Sequence, residues 1–292
     1  MTYHSGSRAV QERVGVRDLA DHVGQAVGQG IRPVAAAFLE QQPMLVAGAA
    51  DPGTGAVWAS LLTGPPGFVR ATGVRQISVT GRPSDGDPLA AALAAEGTFV
   101  GTIALDPRTR RRMRLNGRSR PTARGFAVEA DRVFANCPKY LQRRESYETL
   151  AREPGDVRRS ASLTLRQLAL VASADTFFLA TVHADGADAS HRGGNPGFVR
   201  AAGPSTLSWR DYPGNAMFLT LGNLEADPRA GLLFLDWTSG TLLRLTGTAR
   251  ARYAPDGERT VRFTVTGVVE TPAGSPLRWS PPEYSPANPS LP

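Results

Sequence analysis

The segment "WASLLTGPPGFVRATG", beginning at Trp58, returns 130 residues later as "DASHRGGNPGFVRAAG", beginning at Asp188. Ten of the sixteen positions are identical, where chance in an Ala/Gly/Arg-rich chain gives roughly one or two. The same offset holds without a gap across some sixty residues. Pro83 falls on Pro213, Gly101 on Gly231, Leu105 and Asp106 on Leu235 and Asp236, Arg114 and Leu115 on Arg244 and Leu245, and Gly117 on Gly247. A repeat of this length constrains the fold more than any other feature: the chain must build one unit twice. The copies lie near residues 30–145 and 160–270.

Within each copy the patterning is that of short strands. "QPMLVAGAAD" and "TFFLATVHAD" are apolar runs ended by turn formers, and "GFVRATGVRQISVTG" and "GFVRAAGPSTLSWR" read as strand, turn, strand. "TFVGTIALD" and "AGLLFLDW" are β-rich, while "RRMRLNGRSR" and "TLLRLTGTARARY" alternate as half-buried strands do. A helical pattern runs from Asn215 to its stop at Pro228, with "PLAAALAAEG" as its counterpart. The fold class is therefore mainly β, with two small β-barrel units and helices, paired within one chain. The expected divisions are a helical lead-in over 1–30, a first unit over 31–145, a connector over 146–160, and a second unit over 161–292 that ends in an extended, proline-rich tail.

Composition narrows the partners. The single cysteine excludes an internal disulfide framework and fits a cytoplasmic location. No apolar run reaches membrane-spanning length and the first residues lack a signal-peptide pattern, so no membrane partner is expected. Lys and Arg number 33 against 26 Asp and Glu, a net charge of +7 that favours an anionic partner. In "RTRRRMRLNGRSR", Arg110, Arg112 and Arg114 would share one strand face and Arg111, Met113 and Leu115 the other. No aromatics interleave with these arginines to stack bases, so nucleic acid is not expected. The polar face is read as looking to solvent or across the cleft between the units.

The loop "SHRGGNPGFVR" places His191, Arg192, Gly193 and Gly194 together, a forked cation beside glycines that let backbone N–H groups approach an anion. Downstream, "DYPGN" puts Asn215 where a helix N-cap and a second anion site would lie. The glycines also read as a plain turn, and Phe198, Trp209 and Trp237 as core. His4 and His183 read as surface residues. Cys137 has no histidine near it in sequence and reads as structural. Neither zinc spacing nor a dinucleotide or P-loop motif is present.

Taken in order, "ASHRGGNPGFVR", "DYPGNAMFLTLGNLEADPRAGLLFLD" and "LLRLTGTA" resemble the pyridoxamine 5'-phosphate oxidase-like family of split barrels. The first copy's "RRMRLNGR" and "FANCPKYLQRR" are similar to the longer members of that superfamily. The resemblance implies FMN in a cleft between two paired barrels, with the phosphate held between a strand arginine and a helix start. "YPGN" departs from the basic pair of the oxidases proper. On this basis the expected cofactor-binding residues are Ser190, His191, Arg192, Gly193, Gly194, Gly197, Phe198, Arg200, Trp209, Tyr212, Gly214 and Asn215, with no metal and no assigned catalytic residue. The implied function is an FMN-dependent oxidoreductase acting on a small molecule, with hydride arriving from NAD(P)H or from the substrate itself. The alternatives are a non-catalytic carrier of flavin or deazaflavin (F420), and a haem protein using His191 or His183. A homodimer of whole chains is compatible with the internal pair.

The copies are unequal. Leu61 and Leu62 stand where the second copy has His191 and Arg192, and Asp85 stands where it has Asn215. One competent site per chain is expected, built mainly from the second copy with a wall from the first.

Overall fold

The computed structural model describes residues 3–84, 86–135 and 137–290. Helices α1 (Ser5–Arg13), α2 (Arg17–Gly24) and α3 (Pro33–Glu40) lead into a first sheet. That sheet contains β1 (Met44–Ala50), β2 (Val57–Thr63), β3 (Val69–Gly73), β4 (Gln76–Thr80), β5 (Phe99–Asp106), β6 (Arg111–Thr122) and β7 (Gly125–Ala135), with α4 (Ala90–Ala94) between β4 and β5. The connector carries β8 (Tyr147–Thr149) and β9 (Arg158–Ser160) before α5 (Leu165–Ser173). The second unit repeats the series as β10 (Thr176–His183), β11 (Gly186–Gly193), β12 (Val199–Ala201), β13 (Thr206–Arg210), α6 (Leu219–Ala226), β14 (Arg229–Leu235), β15 (Leu242–Tyr253) and β16 (Arg259–Thr271). A final strand, β17 (Leu277–Trp279), pairs with β8, so the tail returns over the connector.

The two sheets have the same order: β2-β1-β5-β6-β7-β4-β3 in the first and β11-β10-β14-β15-β16-β13-β12 in the second. Register agrees residue by residue with the sequence offset. Ile103 pairs with Arg114 as Leu233 pairs with Arg244, and Arg70 with Ser78 as Arg200 with Ser208. The repeated Gly117 and Gly247 mark equivalent register shifts, where a Cβ would lie within 2 Å of the Glu129 or Thr264 carbonyl oxygen.

Three cores explain why the central strands read as continuous apolar runs. Leu45, Ala47 and Val100 fill the first barrel, and Phe177, Leu179, Leu232 and Phe234 fill the second. The opposite faces of the same strands meet in a third core between the units, with Met44, Val46 and Ile103 against Phe178, Ala180 and Leu233. A strand buried on both faces has no polar face to show. The repeated Gly101 and Gly231 sit where the other unit's strand crosses. A Cβ at Gly101 would lie 2.4 Å from the Asp188–Ala189 backbone, and one at Gly231 would lie 2.6 Å from that of Val57 and Trp58.

Buried ion pairs tie the units reciprocally. Arg114 of β6 meets Asp188 of β11 at 3.1 Å, and Arg244 of β15 meets Asp87 of the first unit at 2.9 Å. Arg244 also donates to Ser60 Oγ. Helix α5 starts with a capping box, Thr164 and Gln167 exchanging side-chain and backbone hydrogen bonds.

The helical lead-in reaches beyond the first unit: α1 crosses to the second, where Gly6 and Gly222 allow α1 and α6 to approach, a Cβ at Gly222 lying 2.4 Å from Ser7 Cα. Two expectations are corrected. His4 and His183 are not surface residues, because this crossing stacks their rings at 4.4 Å, with His4 Nε2 2.9 Å from Asn223 Oδ1. Arg110 is not on the strand: it occupies the turn before β6 with φ 53° and binds the Leu141 carbonyl and Glu283.

Removing Arg244 would leave Asp87 buried without a counter-charge. Arg244→Ala should lower unfolding free energy by about 3–5 kcal/mol, measured by urea denaturation; a loss below about 1 kcal/mol would show that the pair does not clasp the units. The histidine stack adds a pH dependence. Burial, then the neighbouring His4 and Arg132, push the His183 pKa down to about 4, and burial lowers that of His4. Folded pKa values below the unfolded value mean that the unfolded chain takes up protons first as pH falls. Stability should therefore decline from about pH 6.5 toward pH 4. His183→Gln should flatten that decline; an unchanged slope would place the titration elsewhere.

Candidate functional site

The cleft between the units lies where strand β11 of the second faces strand β6 of the first. It encloses about 900 Å3, counted to its open mouth. The second unit contributes His191, Arg192, Gly193, Phe198, Arg210 to Tyr212, Gly214 to Ala216 and Phe218 to Leu221. The first contributes Arg112, Arg114, Cys137, Lys139 and Tyr140.

Local pleat explains the polar cluster. Along β11, Ala187, Ala189 and His191 share a face, and the two alanines belong to the inter-unit core. His191 therefore faces the first unit, 3% exposed, with its Nδ1 2.8 Å from Arg112 Nη1. A guanidinium can only donate, so Nδ1 accepts and the imidazole proton resides on Nε2. Burial, then the charges of Arg112, Arg192 and Arg114, hold the His191 pKa well below its usual value, so the ring is neutral. Its Nε2 is buried without a partner among the described residues, a donor with nothing to bind.

Five cations and one carboxylate line the cleft: Arg112, Arg114, Lys139, Arg192 and Arg210 against Asp211. Burial and the neighbouring Arg114 and Arg192 press the Arg112 pKa down to about 9. That direction marks a guanidinium short of counter-charge. Arg112 Nη2 donates to the Cys137 carbonyl, while the Nε atoms of Arg112 and Arg192 are buried and unpartnered. Arg192 donates to Ser190 Oγ at 3.2 Å and stands 3.6 Å from Asp211, which Arg259 also holds at 3.2 Å. Tyr140 and Tyr212 meet with ring centroids 5.0 Å apart, and Tyr140 Oη donates to the Pro213 carbonyl.

The expected site residues divide. His191, Arg192, Gly193, Phe198, Tyr212, Gly214 and Asn215 line the cleft, and Ser190 lies beneath it. Gly194, Gly197, Arg200 and Trp209 do not. Trp209 is 2% exposed in the second barrel core, edge-on to Phe177. Arg200 is exposed on β12. Gly197 supplies the left-handed turn, φ 92°. Packing alone requires both glycines: a Cβ at Gly193 would lie 2.0 Å from the Tyr140 carbonyl oxygen, and one at Gly194 would lie 2.7 Å from the Phe198 ring.

Asn215 is not a helix N-cap. Ala216 and Phe218 take left-handed φ values of 59° and 53°, Asn215 Oδ1 accepts from the Met217 N–H, and α6 starts at Leu219. The helix start itself has no side-chain cap, and Leu219, Thr220 and Leu221 line the cleft. Their N–H groups lack intrahelical acceptors, so the free helix start lies one turn beyond the expected position. Lys139, Tyr140 and Arg210 were not anticipated as lining residues. The run "FANCPKYLQRR" was the available signal for the first two.

The equivalent place in the first unit is closed. Leu61 and Leu62 are buried in the inter-unit and first-barrel cores, and Arg244, the counterpart of Arg114, is spent on Asp87, Ser60 and Thr271. Asp85 lies outside the described residues; Asp87 is the carboxylate that occupies this place.

Comparison with known proteins bears on the second unit. No curated protein matches the chain. Among solved structures, a candidate pyridoxamine 5'-phosphate oxidase of Lactobacillus delbrueckii aligns over 37% of this chain and 94% of its own, at 21% identity and TM-score 0.32. HupZ of Group A Streptococcus aligns over 37% and 98%, at 15% identity and TM-score 0.31. An FAD-binding protein of Mycobacterium smegmatis aligns over 40% and 98%, at 15% identity and TM-score 0.28. The family described as pyridoxamine 5'-phosphate oxidase matches residues 163–276, which run from the approach to α5 to the residue before β17. The family match thus falls on the second barrel, which supplies His191 and Arg192.

Proposed function

We propose that the chain binds one FMN in the cleft between its units and acts as an oxidoreductase on a small molecule. The observation that carries this reading is a set of donors without acceptors: among the described residues the buried His191 Nε2, Arg112 Nε and Arg192 Nε have no partner. Of the lining cations, Arg112 and Lys139 have no ion pair among those residues, whereas Arg114 and Arg210 are matched by Asp188 and Glu258 and Arg192 stands 3.6 Å from Asp211. A phosphate dianion supplies the missing charge, and a ring edge rich in acceptors suits an Nε2–H donor.

Arg192 and the uncapped N–H groups of Leu219, Thr220 and Leu221 would hold the phosphate, a strand cation and a helix start together. His191 would donate from Nε2 to an acceptor on the ring edge. Arg112 acts through His191, fixing its tautomer from the other unit and adding positive charge beside the ring. Tyr140 and Tyr212 would flank the mouth and exclude water. When bound, the flavin supplies two-electron chemistry, with NAD(P)H as donor; the protein supplies binding, orientation and electrostatics.

The haem alternative is less well supported. Arg112 donates to His191 Nδ1, which leaves the proton on the Nε2 that would have to ligate iron. His183 is stacked on His4 and lines a different cavity.

Arg192→Ala should weaken FMN binding by about 1.5–3 kcal/mol, roughly 10- to 100-fold, and riboflavin binding far less, because only FMN carries the dianion. Fluorescence quenching titrations with both ligands measure this. Equal losses would remove Arg192 from the phosphate. Bleaching of the bound flavin by NAD(P)H with recovery in air supports turnover; a flavin that binds and does not bleach would favour the carrier.

A further inference from the structure

A second cavity opens on the other side of Arg112. It encloses about 1250 Å3, counted to its mouth, between α3 and the start of β6. Its floor is apolar: Phe38, Met113, Val133 and Phe134 line it, and Val34 stands at 62% exposure. Its charged members are Arg32, Arg110, Arg111 and Arg112, and no carboxylate stands among the described residues that line it. Only Arg110 of these four has an ion-pair partner among the described residues, Glu283. Arg111 lies over the Phe38 ring at 5.3 Å.

An apolar chamber rimmed by arginines, three of them without an ion-pair partner among the described residues, is complementary to one kind of small molecule. We propose that this cavity binds an apolar molecule bearing a single anionic head group, such as a medium-chain carboxylate. Its body lies on Phe38, Met113 and Val34, and its head group lies among Arg32, Arg111 and Arg112. Arg112 lines both this cavity and the cofactor cleft, so a head group held there is placed beside the cofactor. The occupant is then the substrate class of the cleft. That role rests on the flavin reading, whereas the binding itself rests on this cavity alone.

The probes are decanoate, decanol and decylamine, titrated calorimetrically against the full chain. Decanoate should bind about tenfold or more tightly than decanol, and decylamine more weakly still. Equal affinity for decanoate and decanol would overturn the proposal. Val34→Asp places a carboxylate in the mouth at the second residue of α3, where an acidic side chain favours the helix start. It should cost decanoate about tenfold or more, whereas Val34→Asn should leave decanoate binding within about threefold. An unchanged affinity in Val34→Asp would overturn the assignment. FMN titrations of the same samples separate the two readings. Failure of decanoate binding with FMN binding intact overturns this cavity's assignment. Decanoate binding without FMN binding supports the cavity while removing the flavin reading and the substrate role.

Discussion

The architecture depends on two close strand crossings. Gly101 and Gly231 let the strands of one unit run directly against the backbone of the other, at distances no side chain could tolerate. Because the units meet there, β1, β5, β10 and β14 are buried on both faces, and a core forms between the units beside the core of each barrel. The cleft is a consequence of that contact. Its cations come from β6 and the segment after β7 in one unit and from β11 and β13 in the other, so neither unit lines it alone.

Reciprocal contact did not preserve reciprocal chemistry. Arg114 and Arg244 occupy equivalent strand positions and both cross to the other unit. Arg244 is 1% exposed and matched by Asp87. Arg114 is matched by Asp188, yet Arg112 and Arg192 stand beside it without a matching acid, the nearest, Asp211, being shared with Arg259. One cleft has become a clasp and the other has kept an excess of positive charge. An interface ion pair removed from water stabilises the assembly only when both partners are present. The first unit's place in the fold is therefore fixed by the same residues that deny it a ligand.

What was legible in the sequence was what local pattern and repetition encode. The strand series, the paired units and the unequal loops at Leu61 and His191 all follow from the 130-residue offset. The wall contributed by Arg112 and Arg114 could be read from strand alternation. Long-range contacts were not legible. The Gly193 and Gly194 pair looks like an anion loop, yet Gly193 is small because the Tyr140 carbonyl lies against it, and Gly194 because of the Phe198 ring. Asn215 looks like an N-cap, but two left-handed residues delay the helix to Leu219. His4 and His183 look solvated because nothing in sequence brings them together; α1 crossing onto α6 does.

The central claim is that two like units share one competent cleft. Burying a phosphate against Leu61 and Leu62, with Arg244 already matched by Asp87, would leave its charge unpaired at a cost of several kcal/mol. Titrating the apo-protein with FMN and following the quenching of flavin fluorescence counts the sites directly. The account predicts an endpoint of one flavin per chain, whatever the association state of the chains. An endpoint of two would contradict it, because the first unit would then bind flavin by a route that bypasses its leucines and its buried ion pair.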